Sequence, residues 1–211
     1  MSNRPAPTMD DEPDHPEQEG EGPAKSAAPS NELESRLLKL RKVMIFGEIQ
    51  DRLARDVTSR LLALAGESDE PIDVFINSPG GHVESGDTIH DMIRFVRGSV
   101  PVRVIGTGWV ASAGAHIFLG AKKENRLCLP NTRFLLHQPA GGMRGQASDI
   151  QIEAEQIIKM RERLNKIIAD ETGQPLEKVS IDTDRNYWMS AEEAKAYGMV
   201  SHIISSPDQL K

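Results

Sequence analysis

The sequence has little of what would place a chain outside the cytoplasm or on a nucleic acid. It holds one cysteine, so no internal disulfide can staple it. Cys128 lies in the apolar run Leu127-Cys128-Leu129, which suits a small buried hydrophobe better than a nucleophile, a metal ligand or a disulfide half. No stretch of eighteen apolar residues occurs, and the first residues are rich in Pro and acids rather than basic and then apolar. Membrane insertion and secretion are therefore not expected, and a cytoplasmic location is. Basic residues are not in surplus either: 25 Lys and Arg face 32 Asp and Glu. Seven acids and two bases fall within residues 1–30, which leaves the rest near neutral and without the clustered basic patch of a nucleic-acid surface. Aromatics are scarce, at 4%, but 211 residues with 38% apolar content suffice for one substantial core.

Residues 1–30 carry six prolines, the run Asp10-Asp11-Glu12 and no aromatic residue. Such a segment cannot bury enough surface to offset its chain entropy, so it is expected to be a disordered acidic tail, either a solubilising or processed extension or a specific binding tail. The folded domain is expected over 31–211. Leu33, Leu37, Leu38 and Leu40 recur at helical spacing, and Val43 to Phe46 reads as a buried strand. Helical patterns over Asp51 to Ala65 and Val83 to Val96 alternate with strands at Ile72 to Ile76 and Val102 to Ile105. A further strand runs from Arg133 to His137. This alternation predicts an α/β fold with a largely parallel sheet.

Ser148 with Gln151 has the form of a capping box. It is expected to open a long helix that turns Ile150, Ile157, Ile158, Leu164 and Ile168 inward, ends before Gly173 and is long enough to project. A second box, Ser190 with Glu193, starts a short helix ending at Gly198, before strand-like Val200 to Ile204.

Three places could carry chemistry. Asn77-Ser78-Pro79-Gly80-Gly81 follows a strand, where paired glycines let the backbone approach a ligand, although a plain turn would explain them equally. Ser112, in Val110-Ala111-Ser112-Ala113-Gly114, is placed at a helix N-terminus, where the Ala113 amide and the helix dipole favour an oxyanion. Val110 stands at the first glycine position of Gly-x-Ser-x-Gly, so a simple helix cap is the competing reading. His137 ends a strand where open α/β sheets place reactive groups; a core histidine is the alternative. A serine needs a base, and the base needs an orienting third group, for which Asp182, Asp184 and Asn186 are available. His15, His82, His90, His116 and His202 show no ligand spacing, so no metal site is expected.

Over residues 35–205 the chain resembles the proteolytic subunit of the Clp protease. The likeness rests on Ser35-Arg36-Leu37-Leu38, Asn77 to Gly81, Ala111 to Ala115, Leu129 to Arg133 with His137-Gln138-Pro139, Gly145 to Ile150, Thr172-Gly173-Gln174 and Met189 to Ala194. The resemblance implies a crotonase-like fold whose long helix is a handle. It further implies Ser112 as nucleophile, His137 as general base, and the amides of Gly81 and Ala113 as an oxyanion hole. It implies seven-membered rings stacked as a tetradecamer, which cleave polypeptides fed by an ATP-driven unfoldase of the AAA+ type. ATP then belongs to that partner, since this chain lacks a phosphate loop and needs no cofactor.

Three departures stand out. The family's Asp-Thr-Asp-Arg-Asp run reads Asp182-Thr183-Asp184-Arg185-Asn186 here, so the third catalytic position is Asn186, and an amide cannot balance an imidazolium as a carboxylate does. Weak or partner-dependent activity is expected, with Asp184 as a substitute only if the backbone shifts by two residues. The family's axial hairpin is replaced by the acidic tail. The stretch from Gly81 to Ser112 runs about two residues long, with Trp109 where a glutamine is common and packing as its expected role. Two other functions remain open at this level. One is a structural or regulatory ring subunit assembling with an active paralogue. The other is an acyl-CoA hydratase or isomerase, for which Glu84 is the one nearby carboxylate.

Overall fold

The computed structural model describes residues 31–142 and 144–210, so the expected tail lies outside the described residues. After helix α1 (Asn31–Lys39), strand β1 (Lys42–Phe46), helix α2 (Asp51–Glu67), strand β2 (Ile72–Ser78), helix α3 (Val83–Val96) and strand β3 (Val102–Ala111) alternate. Helix α4 (Ala113–Phe118), strands β4 (Arg126–Cys128) and β5 (Arg133–Leu136), and the long helix α5 (Ala147–Thr172) follow. The chain closes with helix α6 (Leu176–Asp182), strand β6 (Tyr187–Met189), helix α7 (Ala191–Tyr197) and strand β7 (His202–Ile203).

The strands form one sheet in the order β1-β2-β3-β4-β7, all parallel, with β5 branching from β3 and β6 pairing antiparallel with β5. Alternate strand positions turn inward, and on that face branched aliphatics fill the core, as Val43, Ile45, Val74, Ile76, Val102 and Val104 do at 0% exposure. The branching comes from the length of β3. Its first half faces β4 and its second half, Trp109–Ala111, faces Arg133–Leu135. Between them β3 advances four residues while β2 advances two, from Ile76↔Gly106 to Ser78↔Val110. The surplus bulges out at Gly108, whose φ of +60 suits glycine. This bulge lies within the stretch expected to run two residues long.

Several expectations change here. Strand β3 is more than twice as long as Val102 to Ile105, because Gly106 and Gly108 sit inside the strand instead of ending it. Helix α6 and strand β6 had no place in the sequence reading; Leu176 and Ile181 are exposed, so apolar periodicity does not mark that helix. The Ser148 box is not formed: α5 starts from Gln146 with no side-chain cap, since Gly145 at φ +158 turns the chain into the helix early. Ile150 and Ile158 do not point inward but are 40% and 55% exposed, because the first half of α5 stands clear of the body. Its second half is anchored through Asn165, Ile168, Ala169 and Thr172. The Ser190–Glu193 box forms in both directions, and Gly198 closes α7 in the left-handed conformation. Trp109 is 43% exposed and stacks on Trp188 at 6.4 Å, with the Arg133 guanidinium 4.4 Å from the Trp188 ring. Its packing is therefore at the surface, against Trp188, and not in the core.

Fully buried Arg126 fastens the base of α5. Its guanidinium donates to the carbonyls of Leu119 and Ala121, and to both the carbonyl and the carboxylate of Glu171. Arg94 and Arg97 also reach that carboxylate. Burial lowers the proton affinity of Arg126 while Glu171 opposes the change, so this ion pair belongs to the interior.

Candidate active site

The site lies where β2, β3 and β5 end. Ser112 stands at the N-cap position of α4 without a side-chain capping bond, with φ 54 and ψ −120, one of two described non-glycine residues with positive φ. A serine is held in such a conformation only when its surroundings fix it. Here its amide donates to Leu135 O at 2.9 Å and its carbonyl accepts from the His116 amide at 3.1 Å. The strand-turn-helix geometry lifts Oγ out of the sheet, as a nucleophile elbow does, without the first glycine of that motif. Glycines make room for it. A Cβ on Gly80 would meet Ser112 Cβ at 2.6 Å, and one on Gly114 would meet Ser78 Cβ at 3.3 Å.

His137 follows β5 and presents Nε2 to Ser112 Oγ at 2.7 Å. Its Nδ1 meets Asn186 Oδ1 at 3.1 Å. With the amide oxygen as acceptor, Nδ1 carries the proton and Nε2 is the free lone pair facing the serine, which is the tautomer a general base requires. Neither nearby aspartate takes this place. Asp184 pairs with Arg161 at 3.1 Å while its carbonyl accepts from Gln138. Asp182 accepts from Lys178 and from the Tyr197 hydroxyl. Asn186 gets here because β6 runs antiparallel to β5, with Tyr187 opposite Leu136.

Gly81 follows Gly80, which packs against Ser112, and Ala113 follows the serine along the chain. Ile49 donates its amide to Gly80 O and accepts from the His82 amide, both at 2.9 Å. Residues 80 and 82 therefore spend their groups on Ile49, and the alternation of a parallel bridge turns the Gly81 amide the other way. Only glycine fits, since a Cβ would lie 2.3 Å from Ile49 O. Ala113 opens α4 directly after the serine, with its amide at the positive end of the helix. Beside these groups is a cavity of about 40 Å³ lined by Val83, His116, Leu136 and Leu164 among others. An open cleft borders His137, Gln138, Ile157 and Asn186.

Among the described residues the other histidines share no ligand position, and no group of three or more His, Cys, Asp or Glu there could hold a metal ion. His90 and His116 stack at 4.2 Å. Burial, aided by nearby His116, pushes His90 down to about 4. Asp87 resists its own burial and stays well below the usual carboxylate range, because His116 and Arg163 bind it. Burial raises the Cys128 thiol to about 12, so it is inert as a nucleophile. Among the described residues no helix is long and apolar enough to cross a membrane.

A strained serine bonded to a histidine that is itself bonded to an amide oxygen can carry out acyl transfer. The family model described as Clp protease matches residues 25–207. The chain belongs to the Clp protease family. A protein of Gluconobacter oxydans named ATP-dependent Clp protease proteolytic subunit 2 is 67% identical, with 96% of this chain and 92% of that protein covered. Proteolytic subunit 3 of Rhizobium etli is 60% identical over 90% of this chain and 97% of its own length. Among solved structures, ClpP1 of Listeria monocytogenes is 55% identical with a TM-score of 0.76, covering 85% of this chain and 99% of that one. A mutant of the same protein with an asparagine changed to aspartate gives a TM-score of 0.78. The chain has the ClpP fold and is a serine peptidase subunit of a Clp protease.

Proposed function

We propose that Ser112, His137 and Asn186 form the catalytic triad of this subunit, with the amides of Gly81 and Ala113 as its oxyanion hole. The observation that carries the reading is the continuous path from Ser112 Oγ through His137 to Asn186 Oδ1. His137 Nε2 takes the Ser112 proton as Oγ attacks the peptide carbonyl carbon. The oxyanion forms against the Gly81 and Ala113 amides. The imidazolium then gives its proton to the amine nitrogen as the C–N bond breaks, leaving an acyl-serine. Water, deprotonated by His137, attacks that ester and restores Ser112.

Asn186 orients the ring but does not neutralise it. In a serine triad, replacing aspartate by asparagine costs on the order of 10⁴ in rate when the tautomer is wrong. The Nδ1–H tautomer favoured by Asn186 Oδ1 avoids that fault and leaves only the missing charge, so this subunit works slowly by itself and gains from assembly. The exposed apolar residues Ile150, Ile152 and Ile158 on projecting α5 suit burial between stacked rings, seven subunits to a ring, in a cytoplasmic particle fed by an ATP-driven unfoldase. A fluorophosphonate probe tests the reading: labelling is expected at Ser112, and none at that residue, alone or in the presence of partner subunits, overturns it. The alternative of a structural subunit within a mixed ring gains from Asn186. It prevails if Ser112→Ala leaves the activity of every assembly unchanged.

A further inference from the structure

Behind the Gly81 turn lies a second Ser-His-Asp group. His82 Nδ1 is 2.9 Å from Ser85 Oγ and 3.3 Å from Asp51 Oδ1, and Ser85 Oγ donates to the same Asp51 oxygen at 2.5 Å. His82 Nε2 lies 3.2 Å from Glu84. Since Ser85 gives its only proton to Asp51, it accepts from His82 Nδ1–H. The hydrogen bonds therefore run toward the carboxylate, and Ser85 is spent and 2% exposed, which excludes it as a nucleophile. Asp51 is held below the usual carboxylate range by the Ser85 bond, aided by His82.

The group joins the parts that fix Gly81. Asp51 is the first residue of α2, two beyond Ile49. Ser85 lies in the first turn of α3, and His82 is bonded directly to Gly81 along the chain. Neither Gln50 nor His82, at the N-caps of α2 and α3, makes a side-chain capping bond. His82 uses its ring across the two helix ends instead. The two Ile49 hydrogen bonds hold one edge of the Gly80–His82 segment, the Gly80 amide donates to Ser78 Oγ and the His82 carbonyl accepts from the Gly86 amide, while the Gly81 amide between them takes its tilt from how residue 82 is held.

We propose that His82, held by Ser85 and Asp51, is a positioning residue that aims the Gly81 amide at the developing oxyanion. The inference rests on the assignment of Gly81 to the oxyanion hole. Losing an oxyanion donor outright costs about 10²–10³ in rate; loosening one through a partly solvated clamp costs less, about tenfold. Because the amide is fully engaged only in the transition state, the loss falls on the chemical step and not on binding.

The test is the rate of Ser112 phosphonylation by a saturable peptidyl phosphonate in the full-length protein, with the labelled residue identified by mass spectrometry. His82→Leu and Asp51→Ala are each expected to lower the maximal labelling rate about tenfold with the inhibition constant unchanged, and the double variant to be no slower than either single one. His82→Asn, whose amide nitrogen replaces Nδ1–H, is expected to restore most of the rate; a structural role alone would not be rescued in this way. Unchanged rates in His82→Leu and Asp51→Ala, a loss confined to the inhibition constant, or an Asn variant as slow as the Leu variant overturns the proposal. A wild-type protein unlabelled at Ser112 overturns the nucleophile assignment itself, and this proposal with it.

Discussion

Two groups within the same loop cluster contain a serine and a histidine with a third polar partner, and only one is arranged for chemistry. At Ser112 the serine is half-buried and strained, and its Oγ faces a bare imidazole nitrogen at 2.7 Å. At Ser85 the serine is buried and unstrained, and its proton is committed to Asp51 at 2.5 Å. The group with the carboxylate is the inert one, and the group with the neutral amide is poised to react. Direction of hydrogen bonding and access, more than residue type, separate a nucleophile from a clamp.

The largest effect that separates the two is loss of each hydroxyl. Ser112→Ala is expected to remove on the order of 10⁴ of the peptidase rate, whereas Ser85→Ala should lower it by about tenfold or less, measured as hydrolysis of a fluorogenic peptide. Comparable losses would erase the distinction. Stability contrasts next: both serine groups sit at helix N-termini, while the base of α5 hangs on Arg126. Glu171→Ala leaves that guanidinium buried without its counter-charge, and should cost about 3 kcal/mol in urea unfolding; Asp51→Ala, which releases an exposed carboxylate, should cost far less.

A third histidine setting supplies an effect that appears only as pH changes. His90 is kept neutral by burial and titrates near 4 in the folded chain against an ordinary 6.5. Its depressed affinity contributes stability that is fully present above 6.5 and is lost as pH falls from there toward 4, because the unfolded chain binds the proton first. His90→Phe should flatten the unfolding midpoint over that window, and an unchanged slope would show that His90 does not drive it.

The alternating elements from β1 to β3 were legible because their buried faces are built from branched aliphatics at strand and helix spacing. Ser112, His137 and the glycine pair were legible as types at strand ends, but each alone fitted a cap, a core histidine or a turn. Asn186 could not be told from Asp182 or Asp184 by spacing within the chain. The resemblance to the family's Asp-Thr-Asp-Arg-Asp run singles it out, and the antiparallel pairing of β6 with β5 sets it beside His137. The Ser85 group was hidden for the same reason, since Asp51 and Ser85 meet across two helix ends 34 residues apart in sequence. Ile150 and Ile158 were placed inward because periodicity shows that a face is apolar without showing what covers it.

In the proposed triad Asn186 orients His137 correctly and withholds only charge. Peptide hydrolysis by Asn186→Asp beside the wild-type chain measures this most directly. The expected result is a rise in kcat on the order of 10² with KM little changed, since a carboxylate at the same distance stabilises the imidazolium formed in the transition state. An unchanged or lower kcat, with Ser112 still labelled by a phosphonate, would contradict it.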